Sequence, residues 1–240
     1  IIAGNWKMNT TNVEARELVE AMKAELESID RVECVLCPPF TALATVGEVL
    51  VDSRIAVGAQ NMYHEAEGAF TGEVSTAMLA KLCEYVILGH SERRDVFGET
   101  DAMIGKKVSA ALRAGLKPIM CVGEHLEDRE DGIAEAVVEQ QVRLGLARVE
   151  WVRGLVVAYE PVWAIGGGVA AGCGVAGGGV AAGCGVAGGG VAAGCGVAGG
   201  GVAAGCGVAG GGVGAGCGVA GGESCMVRHG TSVQFASAHT

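Results

Sequence analysis

Six apolar runs of strand length recur along the first two thirds of the 240-residue chain, each separated from the next by a longer segment. They are Ile1 to Trp6, Glu33 to Cys37, Ile55 to Ala59, Tyr85 to Gly89, Lys117 to Cys121 and Leu155 to Glu160. Each is nearly continuous in apolar residues, the pattern of strands covered on both faces. The intervening segments carry helix punctuation. Thr11 and Glu14 form a capping box before Val13, Leu18, Met22, Leu26 and Ile29, which fall at helical spacing. Ala102 to Ala114 ends at Gly115 and then Pro118, and Ile133 to Ala147 repeats the pattern with Val137, Val138, Val142 and Leu144. Strands and helices alternating in one order make an α/β fold with a parallel sheet, either a barrel or a doubly wound sheet. A chain of 240 residues is about the size of one (β/α)8 barrel.

The pattern stops at Gly166. Residues 166 to 222 contain only Gly, Ala, Val and Cys. From Val169 the unit Val-Ala-Ala-Gly-Cys-Gly-Val-Ala-Gly-Gly-Gly runs four times unchanged, then a fifth time with Gly214 and Glu223 substituted. Ordering eleven residues costs on the order of 15 kcal/mol of backbone entropy, and more with glycine. Two valines and a few alanines, at about 1.5–3 kcal/mol for each fully buried large side chain, do not recover it. The expectation is a disordered low-complexity repeat over 167–223, following a barrel part over 1–166 and preceding an unassigned tail over 224–240. Within that tail, Thr231 to Ala236 is a weak strand candidate.

Composition removes several function classes. A net charge of -10 argues against a polyphosphate partner such as nucleic acid, so any anionic ligand must be met by local groups. The glycine-rich tract is too poor in large side chains to partition into lipid, and no secretory signal opens the chain at Ile1. A cytoplasmic protein without membrane contact is therefore expected. Of ten cysteines, six lie at or beyond Cys173, and five of those recur with the repeat, so the number is no sign of a disulfide framework. Cys34 and Cys37 form a C-x-x-C at a strand end, read as buried spectator thiols, with no second ligand pair for zinc.

Chemistry-bearing residues collect where the apolar runs end, the edge at which a barrel places its active site. Asn5 and Lys7 close the first run. A lysine ending a buried strand points to a phosphate or carboxylate ligand, although a solvated strand end is the commoner reading of the residue alone. His90 closes the fourth run, and Ser91 after it can cap a short helix whose positive end keeps the imidazole neutral; a structural histidine is the alternative. Glu160 closes the sixth beside an apolar loop, as a desolvated general base or as a salt-bridge partner.

Six segments together resemble the triose-phosphate isomerase family in order and spacing: Gly4 to Asn9, Gly58 to Asn61, Gly68 to Glu73, Leu88 to Arg94, Cys121 to Glu124 and Tyr159 to Gly166. The resemblance implies a TIM barrel and a cofactor-free aldose-ketose isomerase interconverting dihydroxyacetone phosphate and glyceraldehyde 3-phosphate in glycolysis and gluconeogenesis. It implies Glu160 as the base that moves the proton, neutral His90 polarising the carbonyl, and Lys7 with Asn5 holding the small phosphorylated triose. Pro161 to Gly166 resembles the first half of a closing lid, with the Gly166 amide available to phosphate. Gln60 to Ser75 resembles a loop that enters a second subunit, with Thr71 reaching the partner's active site, so a homodimer is implied.

After Gly166 the resemblance ends, and the last two β/α units of the barrel are replaced by the glycine-rich repeat. Six strands do not close an eight-stranded barrel at its normal shear, and the backbone amides that would hold phosphate from the missing units are lost. A large loss of rate follows, because phosphate binding positions the reacting carbons. A catalytically inactive barrel remnant, its tail produced by repeat expansion or frame disruption, is the competing reading.

Overall fold

The computed structural model describes residues 1–164 in full and, beyond them, the backbone of eleven short strands between residues 169 and 237. All six expected strands are present: β1 (Ile2–Asn5), β2 (Cys34–Cys37), β3 (Ala56–Ala59), β4 (Tyr85–Leu88), β5 (Lys117–Val122) and β6 (Val156–Tyr159). They lie side by side in chain order, the sequence of neighbours of a (β/α)8 barrel's first six strands. Parallel registers such as Asn5 with Cys37, Leu36 with Val57, Ala59 with Val86 and Ile87 with Ile119 carry one strand to the next. Val35, Ala59, Val86 and Ile119 are completely buried, as strands covered on both faces require.

The chain divides into two compact units. The first comprises Ile1–Cys121 with Gln140–Val157. Its leading helix, α1 (Asn12–Glu27), begins with the expected capping box: Thr11 accepts from the Glu14 amide, and the Glu14 carboxylate accepts from the Thr11 amide at 2.7 Å. The buried face differs from the expected stripe. Ala15 and Val19 are fully buried, Val13 is 67% exposed, and Ile29 lies beyond the helix end. Two small residues one turn apart let the backbone come close to its neighbours, and the larger Leu18, Met22 and Leu26 flank that contact half-buried.

After α1 come α2 (Leu43–Val49), α3 (Thr76–Leu79), α4 (Ser91–Asp95) and α5 (Asp101–Arg113), the last ending ahead of Gly115 as expected. Lys107 on α5 and Glu99 just before it are almost fully buried and pair at 2.7 Å. The same Glu99 oxygen accepts from Arg93 of α4 at 2.8 Å, and Lys107 also donates to Asn61 after β3 at 2.9 Å. These bonds tie the loop after β3 to the two helices after β4. A charge pair this dry holds only when its hydrogen bonds are satisfied, so it fixes geometry more than it adds stability.

The second unit comprises Val122–Glu139 and Ala158–Thr240. It contains α6 (Leu126–Glu130) and a tight helical turn at Val162–Ala164, while α7 (Ala134–Gly145) runs from this unit into the first. In the repeat, each eleven-residue unit gives one strand to each of two five-stranded parallel sheets. One sheet contains Val169–Ala171, Val180–Ala182, Val191–Ala193, Val202–Ala204 and Val213–Ala215, with valine opposite valine along it. The other runs from Val175–Gly177 through Gly185–Gly188, Gly196–Gly199 and Gly207–Gly210 to Gly218–Val219. Outside these strands, the disorder expected over 167–223 and the unassigned tail over 224–240 fall on residues beyond those described. A last strand, Gln234–Ser237, overlaps the weak candidate at Thr231 to Ala236.

Candidate active site

Lys7 lies two residues past the end of β1 in the left-handed region, at φ +54°, a conformation that costs a side-chain-bearing residue about 1–3 kcal/mol. Its surroundings hold it there. The Lys7 amide donates to Asn5 Oδ1 at 3.0 Å, and Gln60 Nε2 donates to both the Lys7 and Cys37 carbonyls at 2.9 and 2.8 Å. The bend carries Lys7 Nζ to Glu92 Oε1 at 2.6 Å. Two amide side chains thus support the strained turn, and Lys7 is paired with Glu92 instead of standing as a freely solvated strand end.

His90 follows Gly89, whose φ of +71° suits glycine and turns the chain sharply out of β4. The expected helix after it is α4, but His90 itself caps that helix, not Ser91. His90 Nδ1 accepts from the Glu92 amide at 3.2 Å, and Ser91 is the first helical residue. A ring nitrogen that reaches the second amide of the helix satisfies the donor a serine hydroxyl would otherwise take. His90 is 4% exposed, and burial pushes its pKa below the ordinary 6.5; Lys7 adds to this, whereas Glu92 and Asp95 oppose it. The imidazole is therefore kept neutral mainly by burial. Arg94 secures the corner by donating to the Gly89 and Cys121 carbonyls at 2.7 and 3.1 Å.

In the second unit the chain leaves β6 through Tyr159, Glu160 and Pro161. Glu124 is completely buried and accepts from Tyr159 Oη at 3.0 Å, Trp163 Nε1 at 2.9 Å and Arg129 at 3.4 Å. The Arg129 guanidinium also lies over the Trp163 ring, 4.9 Å from its centre. Burial and the Glu124 carboxylate push the Tyr159 phenol up to about 12, so it stays a donor. The Glu160 amide donates to the Val122 carbonyl at 2.8 Å and the Val162 amide to the Glu124 carbonyl at 2.9 Å. A Cβ on Gly123 would fall 1.9 Å from the Glu160 carbonyl oxygen, so only glycine allows this approach. The half-buried Glu160 is thus fixed through its own backbone and through the side chains on either side of it.

Asn5, Lys7 and His90 are brought together in the first unit, with Glu92 beside both Lys7 and His90; Glu160 belongs to the second. Thr71 is exposed on the loop after β3, and Gly166 lies outside the described residues. Three residues that complete these arrangements were given no role in the site from sequence: Gln60, Glu92 and Glu124. Gln60 was visible as a polar residue immediately after a buried run, and the two glutamates stand inside recognised segments. Their tasks depend on contacts across the fold, which spacing does not encode. Cys34 and Cys37 are free and buried, and burial raises both thiols, in keeping with inert packing groups. Among the described residues no three His, Cys, Asp or Glu side chains are grouped to hold a metal ion.

A family model described as triosephosphate isomerase matches residues 1–176. The triosephosphate isomerase of Dehalococcoides mccartyi (strain CBDB1) is 52% identical over 171 residues, covering 71% of this chain and 67% of the relative. That of Carboxydothermus hydrogenoformans is 58% identical over 173 residues, covering 71% and 69%. That of Herpetosiphon aurantiacus is 53% identical over 174 residues, covering 71% and 70%.

Proposed function

Because this chain belongs to the triosephosphate isomerase family, it is an intramolecular aldose-ketose isomerase, and we propose that Glu160, His90 and Lys7 carry the reaction on a triose phosphate. The observation that carries the assignment is the bond to His90. With Nδ1 accepting from the Glu92 amide, the hydrogen of the neutral ring is on Nε2. A neutral imidazole with that one donor polarises a carbonyl and exchanges protons with the resulting enediol oxygens without delivering a full charge.

In this reading the Glu160 carboxylate removes the proton from one carbon flanking the carbonyl and returns it to the other. The lysine supplies positive charge for the phosphate and for the developing enediolate. Glu92, half-exposed on Lys7, occupies the cation in the meantime and yields to a dianionic ligand. Asn5 acts by holding the strained Lys7 backbone. The Gly166 amide is assigned to phosphate, and no metal or organic cofactor is required by a proton transfer of this kind. Family identity of 58% over 173 residues favours the isomerase over an inactive remnant.

The proposal extends to assembly and place. The loop from Gln60 to Ser75 is assigned to a homodimer contact with Thr71 toward the partner; its exposed Phe70, braced against Tyr63 at 4.5 Å between ring centres, supports this. A cytoplasmic setting suits a glycolytic and gluconeogenic reaction, and no described helix is long and apolar enough to cross a membrane. Chemistry is assigned to residues 1–166, and the repeat over 167–223 and tail over 224–240 are assigned no part in it.

The test is exchange of substrate protons in heavy water. The 240-residue chain should place deuterium on the carbon beside the carbonyl of dihydroxyacetone phosphate, read by NMR. Glu160→Gln should abolish that exchange, and an unchanged rate would remove Glu160 from the role of base.

A further inference from the structure

We propose that the repeat sheets are a self-association surface, and that their occupant is the repeat of a second copy of this chain, added edge to edge as the next rung. The reasoning starts from identity. Four units are the same and the fifth differs only at Gly214 and Glu223, so the last strands of one copy match, residue for residue or nearly so, the partners a first strand already has. Val180 pairs with Val169 and Val191 in one sheet, and Val186 with Val175 and Val197 in the other. A second chain presenting Val-Ala-Ala to Val213–Ala215 repeats the valine-on-valine ladder with no new geometry.

The edge strands also carry nothing in their sequence that opposes pairing. Val213–Ala215 and Gly218–Val219 end the strand orders of their sheets, opposite Val169–Ala171 and Val175–Gly177. Natural sheets blunt such edges with lysine, proline or inward charge, and residues 166 to 222 contain none of these. Parallel, in-register stacking of identical, uncharged segments is the arrangement from which cross-β assemblies grow. Joining the last rung of one copy to the first of the next is a head-to-tail contact, which does not close on itself and therefore yields filaments.

The experiment uses the full chain under reducing conditions, so that the repeat cysteines do not cross-link. Raising its concentration should give thioflavin-positive filaments with a fibre reflection at about 4.7–4.8 Å. The double variant Val213→Lys and Val219→Lys, which charges both terminal strands, should abolish them, whereas Phe97→Ser on the exposed surface of the barrel part should not. A chain that stays dispersed at every concentration overturns the proposal. So does an assembly lacking the reflection, one that survives the double variant, or one that Phe97→Ser abolishes.

Discussion

The barrel part and the repeat are both built from parallel strands, and they differ in how much their side chains say about which strand goes where. In the barrel part every strand is distinct: Cys34–Cys37 has one register against Ile2–Asn5, and a slip would place different volumes against the core. In the repeat a slip of eleven residues restores the same pairs, valine on valine and alanine on alanine. The first region therefore specifies a position for each functional group. The second specifies only a rung, and a rung is equally good in the next chain.

Breaking the comparison begins with the groups that need exact positions. Glu160→Gln should lower kcat by a factor on the order of 10²–10⁴ while leaving the circular dichroism spectrum unchanged. Next in size is Lys107→Met, which leaves Arg93 as the remaining charged partner of the buried Glu99 and should destabilise the chain by about 1–3 kcal/mol in urea unfolding. Trp163→Phe removes one donor from the buried Glu124 and should cost about 1–3 kcal/mol in the same measurement.

A subtler effect follows from His90, whose folded pKa lies below the ordinary 6.5 because of burial. Below about pH 6.5 the unfolded chain takes a proton that the folded chain refuses, so stability falls as pH falls from there. It is constant with respect to this group at higher pH. His90→Gln should flatten that part of the thermal midpoint against pH. The smallest effect belongs to the other region: deleting one whole repeat, 191–201, should change isomerase turnover little and stability by less than about 0.5 kcal/mol. A large change would show that individual rungs are distinguishable after all.

How much was legible in the chain follows the same division. Six continuous apolar runs announced six strands to within a residue or two, four of them buried or nearly so along their length, because a strand covered on both faces has no polar face to confuse its ends. The Thr11–Glu14 box marked the start of α1 because capping is a contact within four residues. The buried face of α1 was misread for the opposite reason. Large apolar residues defined the stripe in the sequence, whereas Ala15 and Val19 make the close contact in the fold. Lys7, His90 and Glu160 were legible as strand-end groups, but the strained turn at Lys7 and the cap made by His90 were not. Each depends on a residue brought from elsewhere or on a backbone angle, and neither leaves a period in the sequence.

Turnover of glyceraldehyde 3-phosphate by the purified 240-residue chain, beside Glu160→Asp and His90→Gln, tests most directly whether the barrel part performs the isomerisation. Measurable turnover that is lost in both variants, each still folded by circular dichroism, is the predicted result. A folded chain with no turnover, or one whose turnover is indifferent to both substitutions, would contradict the assignment of chemistry to these residues.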